Sequence, residues 1–415
     1  MLTEIRHLIL KVTNDESMLP LNVPTLNRRQ FFRFLAGSPL LAGMSAEAWQ
    51  DKAASIADPK EALSLLDFEA AARAALPPAH FGYMATGVDD DATLRANREG
   101  FQKLHLRPRR LRDVSRVDTS VELFGASWET PIFLCPVGNQ KAFHPDAEMA
   151  VARAAQAKRH QMILSTVTNS PIEEVMKCAG NPVWFQLYAT SSWQITENLV
   201  RHAETAGCPV MALTIDTLAG RNTETLERFK RLDKRACAAC HSPGAGFYKR
   251  KRMFDGLDMD GITTGKPDMT WDFIRRLRGL TKMKLLLKGI ETREDAVLSR
   301  EHGVDGIIVS NHGGRAEESG RGTIECLPEV LDGAGKLPVL IDGGFRRGSD
   351  VFKALALGAK AVGIGRPYIW GLSAFGQPGV ERVLEILRIE LALIMKQCGT
   401  RSIAEIGRSS IVASS

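Results

Sequence analysis

The sequence has 415 residues, of which 44% are hydrophobic and 25% are charged. This composition excludes a disordered or fibrous chain and suffices for one large globular domain. A formal net charge of +6 is too small to indicate a nucleic-acid-binding protein. Seven scattered cysteines do not form the pattern of a disulfide-stabilised scaffold. No apolar run reaches the ~18 residues needed to span a bilayer.

The first fifty residues have the pattern of a leader. Arg28 and Arg29 precede an apolar stretch that starts at Phe31, and a small-residue site follows at positions 46–48. This pattern is typical of a twin-arginine export signal and predicts a periplasmic protein. The alternative is an amphipathic helix with two surface arginines on a cytoplasmic protein, and Met18 is a second candidate start. We therefore predict a leader at 1–50 and one folded domain at 51–415.

From residue 131 onward, short apolar strands alternate with amphipathic helices. The pattern predicts strands at 131–136, 161–165, 183–188, 209–216, 283–288, 306–310, 337–342 and 361–364. Nearly continuous apolar runs of this length are typical of parallel strands that are buried on both faces. Helical patterns lie between them, for example at 146–158, 195–206, 293–302 and 349–357. Eight such units predict an α/β fold, a closed (β/α)8 TIM barrel.

Polar residues follow the predicted strands at or just beyond their carboxyl ends, which is the catalytic face of such barrels. They are Ser165, Gln186, Tyr188, Thr214, Asp216, Lys288, Ser310, His312, Asp342 and Arg366. Strand ends often carry one or two polar residues for solubility alone. A set that includes a lysine, a histidine and two aspartates indicates a functional site.

The last two predicted strands lead into glycine-rich turns with an arginine in each. Such turns let backbone amides approach an anion closely, and the following helix N-termini add a positive dipole end. The residues are Gly343, Gly344, Gly363, Gly365, Arg346 and Arg366. This is the common phosphate site of barrel enzymes. Lys288 ends an apolar strand, so it requires a negative partner, unless it extends from the barrel rim into solvent.

One loop carries the residues for acid–base chemistry. His312 and Arg315 are separated by two glycines, so the loop can fold tightly and direct both side chains to one ligand. An arginine can hold a carboxylate by two hydrogen bonds, and a nearby histidine can remove a proton from the adjacent hydroxyl. Asp216 can orient the imidazole and stabilise its protonated form. Tyr83 and Tyr188 can donate to the carboxylate and the hydroxyl.

Longer stretches resemble one enzyme family. The motifs SNHGGR, DGGFRRGSDVFKALALGA, GIGRP, FQLY and LTIDT are similar to those of the FMN-dependent 2-hydroxy acid oxidases and dehydrogenases. That family includes glycolate oxidase, lactate and mandelate dehydrogenases, and flavocytochrome b2. The stretch GYMATGVDDDATLRAN matches the N-terminal helical segment of the family, and the resemblance extends over residues 66–411.

The resemblance implies roles for individual residues. His312 would be the base, Asp216 its partner, Arg315 and Tyr83 the carboxylate clamp, and Tyr188 a neighbour of the hydroxyl. Lys288 would stabilise the negative charge of the reduced flavin. The implied flavin contacts also include Pro136, Val137, Gly138, Ser165, Gln186, Thr214, Ser310, Asp342, Gly344, Arg346, Gly365 and Arg366.

Three positions depart from the family pattern. The position of a second active-site arginine is taken by Asn222, with Arg221 beside it. Ala316 replaces the usual glutamine after the clamp arginine, and Val167 replaces a bulky side chain. These changes predict a roomier or differently polar pocket, in which glycolate and lactate are doubtful substrates.

The long segment after the fourth predicted strand, residues 223–269, contains a separate motif. Cys237, Cys240 and His241 have the C-x-x-C-H spacing of c-type haem attachment, which takes place outside the cytoplasm. The alternatives are a zinc site, a redox disulfide or a chance match. The same segment is basic at Arg228, Lys230, Arg231, Lys234, Arg235 and 249–252. This charge is either a solvated face or a surface for an acidic cytochrome or an anionic membrane.

Three functional hypotheses follow. The first is a periplasmic dehydrogenase that oxidises an L-2-hydroxy acid to the 2-oxo acid and passes electrons to a cytochrome or quinone. The second is an oxidase that forms hydrogen peroxide by the same chemistry. The third is an FMN-binding electron-relay subunit that has lost the chemistry. The family resemblance also implies a homo-oligomer.

Overall fold

The computed structural model describes residues 56–235 and 245–414. Within them the strands are β1 (Leu104–Leu106), β2 (Val121–Leu123), β3 (Ala126–Trp128), β4 (Ile132–Leu134), β5 (Gln161–Ser165), β6 (Trp184–Leu187), β7 (Val210–Thr214), β8 (Lys284–Ile290), β9 (Gly306–Val309), β10 (Val339–Asp342), β11 (Ala361–Ile364) and β12 (Ile411–Ala413).

The helices in the same described ranges are α1 (Leu65–Ala75), α2 (Pro78–Ala85), α3 (Ala92–Glu99), α4 (Ala147–Lys158), α5 (Ile172–Ala179), α6 (Trp193–Thr205), α7 (Glu224–Leu232), α8 (Ala245–Tyr248), α9 (Trp271–Leu280), α10 (Arg293–Glu301), α11 (Thr323–Ala334), α12 (Gly348–Leu357) and α13 (Arg366–Cys398). The backbone of α13 is non-helical at Gly376, where φ is 62° and Pro378 follows closely. None of the helices described is long and apolar enough to cross a membrane.

Strands β4 to β11 form a closed parallel barrel in the order β4-β5-β6-β7-β8-β9-β10-β11. All eight predicted strands are present, with bounds shifted by one or two residues at some ends. The predicted (β/α)8 barrel is therefore confirmed. The fully buried strand residues explain why these segments lack hydrophobic alternation, because one face packs into the barrel and the other against helices.

The barrel interior is a hydrophobic cluster in its lower half. It is made of alternate strand residues, because successive side chains of a strand point to opposite faces. Its strand members are Phe133, Ile163, Trp184, Val210, Ala212, Leu286, Ile308, Leu340 and Ala361, with Cys135 above them. The β2–β3 hairpin covers the amino-terminal end, where Trp128 lies 5.3 Å from Trp184 between ring centroids.

The polar layer at the upper end of the barrel continues the same alternation. Two residues beyond the interior hydrophobic residue that lies highest on each strand, the chain reaches the upper end of the barrel, where most of these positions carry polar side chains. These residues are Ser165, Gln186, Thr214, Lys288, Ser310, Asp342 and Gly363. Alternation along parallel strands therefore explains why polar residues that are distant in sequence meet in one layer.

Two additions to the barrel complete its upper face. Helices α1 to α3 precede the barrel, and α2 brings Tyr83 to the carboxyl ends of the strands. The long segment between β7 and β8 contains α7, α8 and α9 and is described except for residues 236–244. The predicted N-terminal helical segment and the long loop after the fourth barrel strand are both present.

Candidate active site

A cavity opens at the carboxyl ends of the barrel strands. Four of the predicted catalytic residues line it: Tyr83, Tyr188, His312 and Arg315. Predicted cofactor residues on its wall are Pro136, Val137, Gly138, Lys288, Asp342, Gly344, Arg346, Gly365 and Arg366. The structure therefore brings most of the predicted catalytic and cofactor-binding residues to the wall of one cavity.

The predicted base has the geometry expected of it. His312 Nδ1 lies 2.9 Å from Oδ1 of Asp216, and its Nε2 lies 3.3 Å from the hydroxyl of Tyr188. The two rings are nearly parallel, with centroids 6.4 Å apart. Asp216 is behind the imidazole rather than on the cavity wall. One ring nitrogen is therefore held by a carboxylate, and the other faces a cavity-lining hydroxyl.

The ionisation of these groups follows from their burial and charges. Burial lowers the pKa of His312 below its usual value, and the opposing effect of Asp216 is smaller. Burial alone would raise the pKa of Asp216, but Lys288 and His312 together bring it down to about 2. Burial and the charge of Asp216 raise the pKa of Tyr188 to about 12. At neutral pH an ionised aspartate therefore accepts from Nδ1–H of a neutral imidazole, and Nε2 has its lone pair available.

The backbone of the catalytic loop is folded tightly. His312 has φ 58°, and Gly313 and Gly314 have φ 70° and 75°, so three successive residues are left-handed. A side chain at Gly314 would lie 2.5 Å from the Cα of Leu94. The backbone N–H of His312 donates to Ser310 Oγ at 3.1 Å. The two glycines therefore allow His312 and Arg315 to reach the same cavity, as the sequence predicted.

Lys288 is buried between two carboxylates. Its Nζ lies 3.4 Å from Asp216 Oδ2 and 3.7 Å from Asp342 Oδ2, and it donates to Ser310 Oγ at 2.8 Å. Burial alone would lower the pKa of Lys288, but the two carboxylates raise it above its usual value. Ser310 in turn donates to Asp342 at 2.7 Å. The alternative that Lys288 extends from the rim into solvent is wrong, because its side chain is 4% exposed.

A chain of amide and hydroxyl groups crosses the polar layer beneath the cavity. Ser165 Oγ donates to Gln186 Oε1 at 3.0 Å, and Gln186 Nε2 donates to Thr214 Oγ1 at 3.0 Å. Ser165 Oγ also accepts from the backbone N–H of Val167, which lines the cavity. Ser165, Gln186 and Thr214 were predicted to contact the cofactor, but they lie beneath the cavity wall and do not line it. They form its polar support.

The predicted carboxylate clamp is assembled from two distant segments. The guanidinium carbon of Arg315 lies 4.8 Å from the ring centroid of Tyr83, and Arg315 donates to the Tyr83 carbonyl. Arg366 Nε donates to the carbonyl of Met84 at 2.8 Å, and its Nη2 donates to that of Thr86 at 2.9 Å. The arginines thereby fasten the segment around Tyr83 over the barrel mouth.

The second arginine of the site is Arg221. Its side chain lines the cavity, and its Nη1 donates to the carbonyl of Arg315 at 2.9 Å. Asn222, which occupies the position expected for this arginine, donates instead to Asp89 at 3.0 Å and is exposed. Of these two neighbouring residues, Arg221 therefore lines the cavity and Asn222 does not. Position counting from the sequence could not detect this.

The far end of the cavity has the groups that would hold a phosphate such as that of FMN. Gly343 and Gly344 have φ 103° and 79°, so the turn between β10 and α12 requires residues without a Cβ. Burial lowers the pKa of Arg346 to about 10 and that of Arg366 to about 9. Among the described residues neither guanidinium has a carboxylate ion-pair partner, and Arg346 further lowers the pKa of Arg366. An anionic phosphate beside these two cations would compensate their charge.

Several cavity residues were missed by the sequence analysis. Met84, Phe143 and Cys135 line the wall, although nothing in their local sequence indicates a ligand. Phe143 stacks on Tyr83 with centroids 6.3 Å apart. Cys135 is buried and its Sγ lies 3.8 Å from Asp342 Oδ2, so it contacts the polar layer. Its place two residues after the interior Phe133 was the available signal.

Two predictions on the loop after β7 have different outcomes. Cys237, Cys240 and His241 lie outside the described residues, so the haem motif stays a prediction. The basic segment is described in large part, and many of its charges are paired locally: Arg228 with Glu224, Lys230 with Glu227, Arg235 with Asp233 and Arg252 with Asp255. Lys251 is buried, so the run 249–252 is not uniformly a solvated face.

Relatives of this chain are found among FMN-dependent dehydrogenases and glycolate oxidases. The sequence model of the family described as FMN-dependent dehydrogenase matches residues 72–413. Glycolate oxidase 3 of Oryza sativa subsp. indica is 39% identical over 363 residues, which cover 84% of this chain and 96% of the relative. Glycolate oxidase of Spinacia oleracea is 39% identical over 358 residues, covering 85% and 96%.

Solved structures show the same relationship. A mandelate oxidase crystallised with (S)-2-phenylpropionate has a TM-score of 0.75 and 35% identity, covering 85% of this chain and 98% of that one. A soluble mutant of the membrane-associated (S)-mandelate dehydrogenase of Pseudomonas putida has a TM-score of 0.77 and 32% identity, covering 85% and 99%. The chain therefore belongs to the family of FMN-dependent 2-hydroxy acid oxidases and dehydrogenases and is an enzyme of that class.

Proposed function

We propose that the protein oxidises an L-2-hydroxy acid to the 2-oxo acid and passes the electrons to a cytochrome or a quinone. The observation that carries the proposal is the pairing of His312 Nδ1 with Asp216 in a cavity that Arg315 also lines. A base and a carboxylate-binding cation on one wall match the two polar groups of a 2-hydroxy acid. The names of related enzymes, which include an (S)-2-hydroxy-acid oxidase and an (S)-mandelate dehydrogenase, support the L configuration.

The chain's own residues would act as follows. Arg315 and Tyr83 bind the substrate carboxylate, and Arg221 adds a second positive charge to the same cavity. Nε2 of neutral His312 accepts a proton from the substrate, and Tyr188 donates a hydrogen bond to the reacting oxygen. Asp216 then stabilises the imidazolium that forms. General-base catalysis of this kind contributes about 10²–10⁴ to the rate.

The cofactor would be held at the opposite side of the cavity. The turns at Gly344 and Gly365, with Arg346 and Arg366, would hold the phosphate, and Lys288 would lie beside the flavin ring. FMN, when bound, supplies the two-electron acceptor for the oxidation. Lys288 is already charged because of its two carboxylate neighbours, so it can stabilise further negative charge without gaining a proton.

The cavity wall favours a substrate with an apolar side chain. Met84, Phe143 and Val167 line the cavity and belong neither to the clamp nor to the phosphate turns. They come from three separate segments and carry no charge. Contact with such a wall favours a substrate that has a larger apolar side chain. Each additional methylene group is expected to raise kcat/KM about tenfold or more. We therefore propose a branched, long-chain or aromatic 2-hydroxy acid rather than glycolate.

The first experiment is anaerobic reduction of bound FMN by a panel of 2-hydroxy acids. The panel comprises glycolate, L-lactate, L-2-hydroxyoctanoate, and L- and D-phenyllactate. Reduction by L but not D acids, lost on His312→Ala, supports the reaction, and an increase with side-chain size supports the substrate class. Failure of every acid contradicts the reaction. Fastest reduction by glycolate contradicts only the substrate class.

The second candidate is an oxidase that uses oxygen as the acceptor and forms hydrogen peroxide. The names of the glycolate oxidases and mandelate oxidase favour it, whereas that of the Pseudomonas putida dehydrogenase favours an acceptor other than oxygen. Reoxidation of the reduced enzyme by air should be compared with reoxidation by a c-type cytochrome and by a soluble quinone. Air-driven turnover at the rate of flavin reduction would support the oxidase and contradict the dehydrogenase.

Further proposals concern location and assembly. We propose twin-arginine export, a homo-oligomer, and contact of the basic loop with an anionic membrane or an acidic acceptor. Covalent haem attachment at Cys237 and Cys240, with His241 as ligand, rests on the motif alone. Cell fractionation with and without Arg28→Lys and Arg29→Lys tests export. A haem stain after expression in a host that matures c-type cytochromes tests haem attachment. Sedimentation of the protein alone tests the homo-oligomer, and sedimentation with anionic vesicles tests membrane contact.

A further inference from the structure

Lys251 differs from the other cations of its run. Lys249, Arg250 and Arg252 are exposed, whereas Lys251 is 3% exposed. An ammonium group is costly to bury unless polar groups and charges compensate it. Its burial therefore requires polar groups or charges around the ammonium. The structure provides them from residues that lie behind the wall of the active-site cavity.

The ammonium group is directed to the loop after β4. Lys251 Nζ donates to Oδ1 of Asn139 and lies 4.9 Å from the ring centroid of Phe247. Asn139 is buried and left-handed, with φ 60°. Its backbone N–H donates to the carbonyl of Val167 at 3.3 Å. Asn139 thus connects Lys251 to a cavity-lining residue, and it directly follows Val137 and Gly138, which line the same wall.

A buried carboxylate lies in the same network. Glu148 accepts from the backbone N–H of Asn169 at 3.0 Å and from Ser170 Oγ at 2.9 Å. Burial raises the pKa of Glu148, and these hydrogen bonds and the charge of Lys251 oppose that rise. The loop after β5 is therefore held by a carboxylate whose charge Lys251 helps to compensate.

Backbone contacts dock the segment around Lys251 onto this loop. Arg252 N–H donates to the carbonyl of Thr168 at 3.2 Å, and Asn169 Nδ2 donates to the carbonyl of Arg250 at 3.1 Å. The residues on both sides of Lys251 are thus fastened next to Val167. Docking of the long loop and placement of the cavity wall share the same contacts.

We propose that Lys251 is a positioning residue for the active site. Through Asn139 it holds the wall formed by Val137, Gly138 and Val167, so this wall has its shape only when the long loop after β7 is docked. A side chain at Gly138 would approach a Val167 methyl carbon to 2.3 Å, so the two wall segments are in close contact and displacement of one affects the other. Ligands that occupy the cavity should in turn stabilise the docked loop.

The test compares Lys251→Met with Lys249→Met, which removes an exposed charge two positions away. For Lys251→Met we expect the dissociation constant of FMN, measured by titration of the apoprotein, to rise about tenfold, as for loss of a charged hydrogen bond. With the best substrate we expect KM to rise by a similar factor and kcat to change less than about threefold. Lys249→Met should leave all three values unchanged.

A double-mutant cycle with Asn139→Ala tests the route of the effect. If Lys251 acts through Asn139, the double variant should be no worse than the more impaired single variant. The proposal would be overturned if the effect of the double variant on FMN affinity equalled the product of the two single effects. It would also be overturned if Lys251→Met left the FMN affinity unchanged. The measurement of KM and kcat rests on the proposed function, whereas the FMN titration does not. Failure of the positioning role of Lys251 can therefore be distinguished from failure of the proposed function.

A second measurement covers the case in which Lys251→Met does not fold. Trypsin cleavage after the exposed Lys249, Arg250 and Arg252 reports undocking of the loop in the unmodified protein. Saturating FMN should slow cleavage at these sites relative to cleavage after the distant Lys60. Cleavage that is independent of FMN would contradict the coupling between the loop and the cavity wall.

Discussion

His312 Nδ1 and Asp216 Oδ1 lie 2.9 Å apart although the two residues are separated by 96 positions in the sequence. Asp216 follows β7, and His312 lies on the loop after β9. Their contact spans β8 and the bulge at its end, where Gly289 has φ 115°. A side chain at Gly289 would lie 2.6 Å from Asp216 Cβ. The glycine therefore leaves the space in which Asp216 reaches the imidazole.

The pH dependence of flavin reduction should reflect His312. Burial lowers its pKa below the usual 6.5, so the imidazole loses its proton below that pH. Because the neutral form accepts the substrate proton, the rate constant should rise with pH and level off by about pH 7. Rapid-mixing measurements of flavin absorbance across this range provide the check. An acid limb centred well above pH 7 would be inconsistent with this assignment.

Asp216→Asn should lower the reduction rate constant by about 10²–10⁴-fold, because the imidazolium loses its stabilising charge. The acid limb of the profile should also move to lower pH, since Asp216 opposes the fall in the pKa of His312 caused by burial. Rapid-mixing measurements as a function of pH report both changes. Asp272→Asn, at an exposed position, is the control. A shift of the limb to higher pH would contradict the electrostatic role of Asp216.

Arg221 and Asn222 should respond differently to replacement. Arg221→Met removes a cation that lines the cavity, so kcat/KM should fall about tenfold or more. Asn222→Ala removes an exposed hydrogen bond to Asp89 and should have little effect. Steady-state kinetics on both variants with one substrate decide the matter. A larger loss of kcat/KM for Asn222→Ala than for Arg221→Met would contradict this assignment. It would show that the functional residue is the one at the position aligned with the family's second arginine.

Lys288→Met should destabilise the fold strongly. The substitution leaves the carboxylates of Asp216 and Asp342 buried without their cation, a loss that costs about 3–5 kcal/mol. Urea unfolding followed by circular dichroism measures the free energy of unfolding. Lys284→Met, on the same strand but exposed, should change it much less. Equal changes in the free energy of unfolding for the two variants would show that the buried charge cluster stabilises the fold no more than an exposed ion pair does.

Gly344→Ala should abolish FMN binding or folding. Gly344 has φ 79°, and an added Cβ would lie 1.9 Å from the backbone oxygen of Asn97. Gly256→Ala is a matched control, because Gly256 has φ 74° but nothing within 4 Å of the added carbon. The control isolates the backbone strain, about 1–2 kcal/mol. FMN titration and unfolding of both variants provide the comparison, and similar behaviour would argue against a steric requirement at Gly344.

The barrel was predictable because its signal is local. Runs such as 161–165 and 306–310 have three consecutive apolar residues at their centre, and their length and alternation with helical patterns depend only on neighbouring residues. The catalytic and cofactor positions were predictable for a related reason. The carboxyl ends of parallel strands meet on one face, so Lys288, Ser310 and Asp342 must converge once the barrel is accepted.

The side chains that complete the cavity were less accessible to sequence reasoning. Phe143 reaches the cavity through its stacking on Tyr83, which comes from a different segment of the chain. Lys251 reads as part of a solvated basic run, because three exposed cations surround it. Its burial depends on Asn139, more than a hundred residues earlier.

The strand and helix periodicity, the barrel class and the residues that could carry acid–base and phosphate chemistry therefore follow from local sequence. The tertiary structure alone decided that Arg221 rather than Asn222 enters the cavity, that Lys288 is charged between two carboxylates, and that Lys251 is buried against the cavity wall. The physical reason is that periodicity and turn chemistry act between near neighbours. Burial, charge compensation and loop path depend on segments that meet only after the barrel has closed.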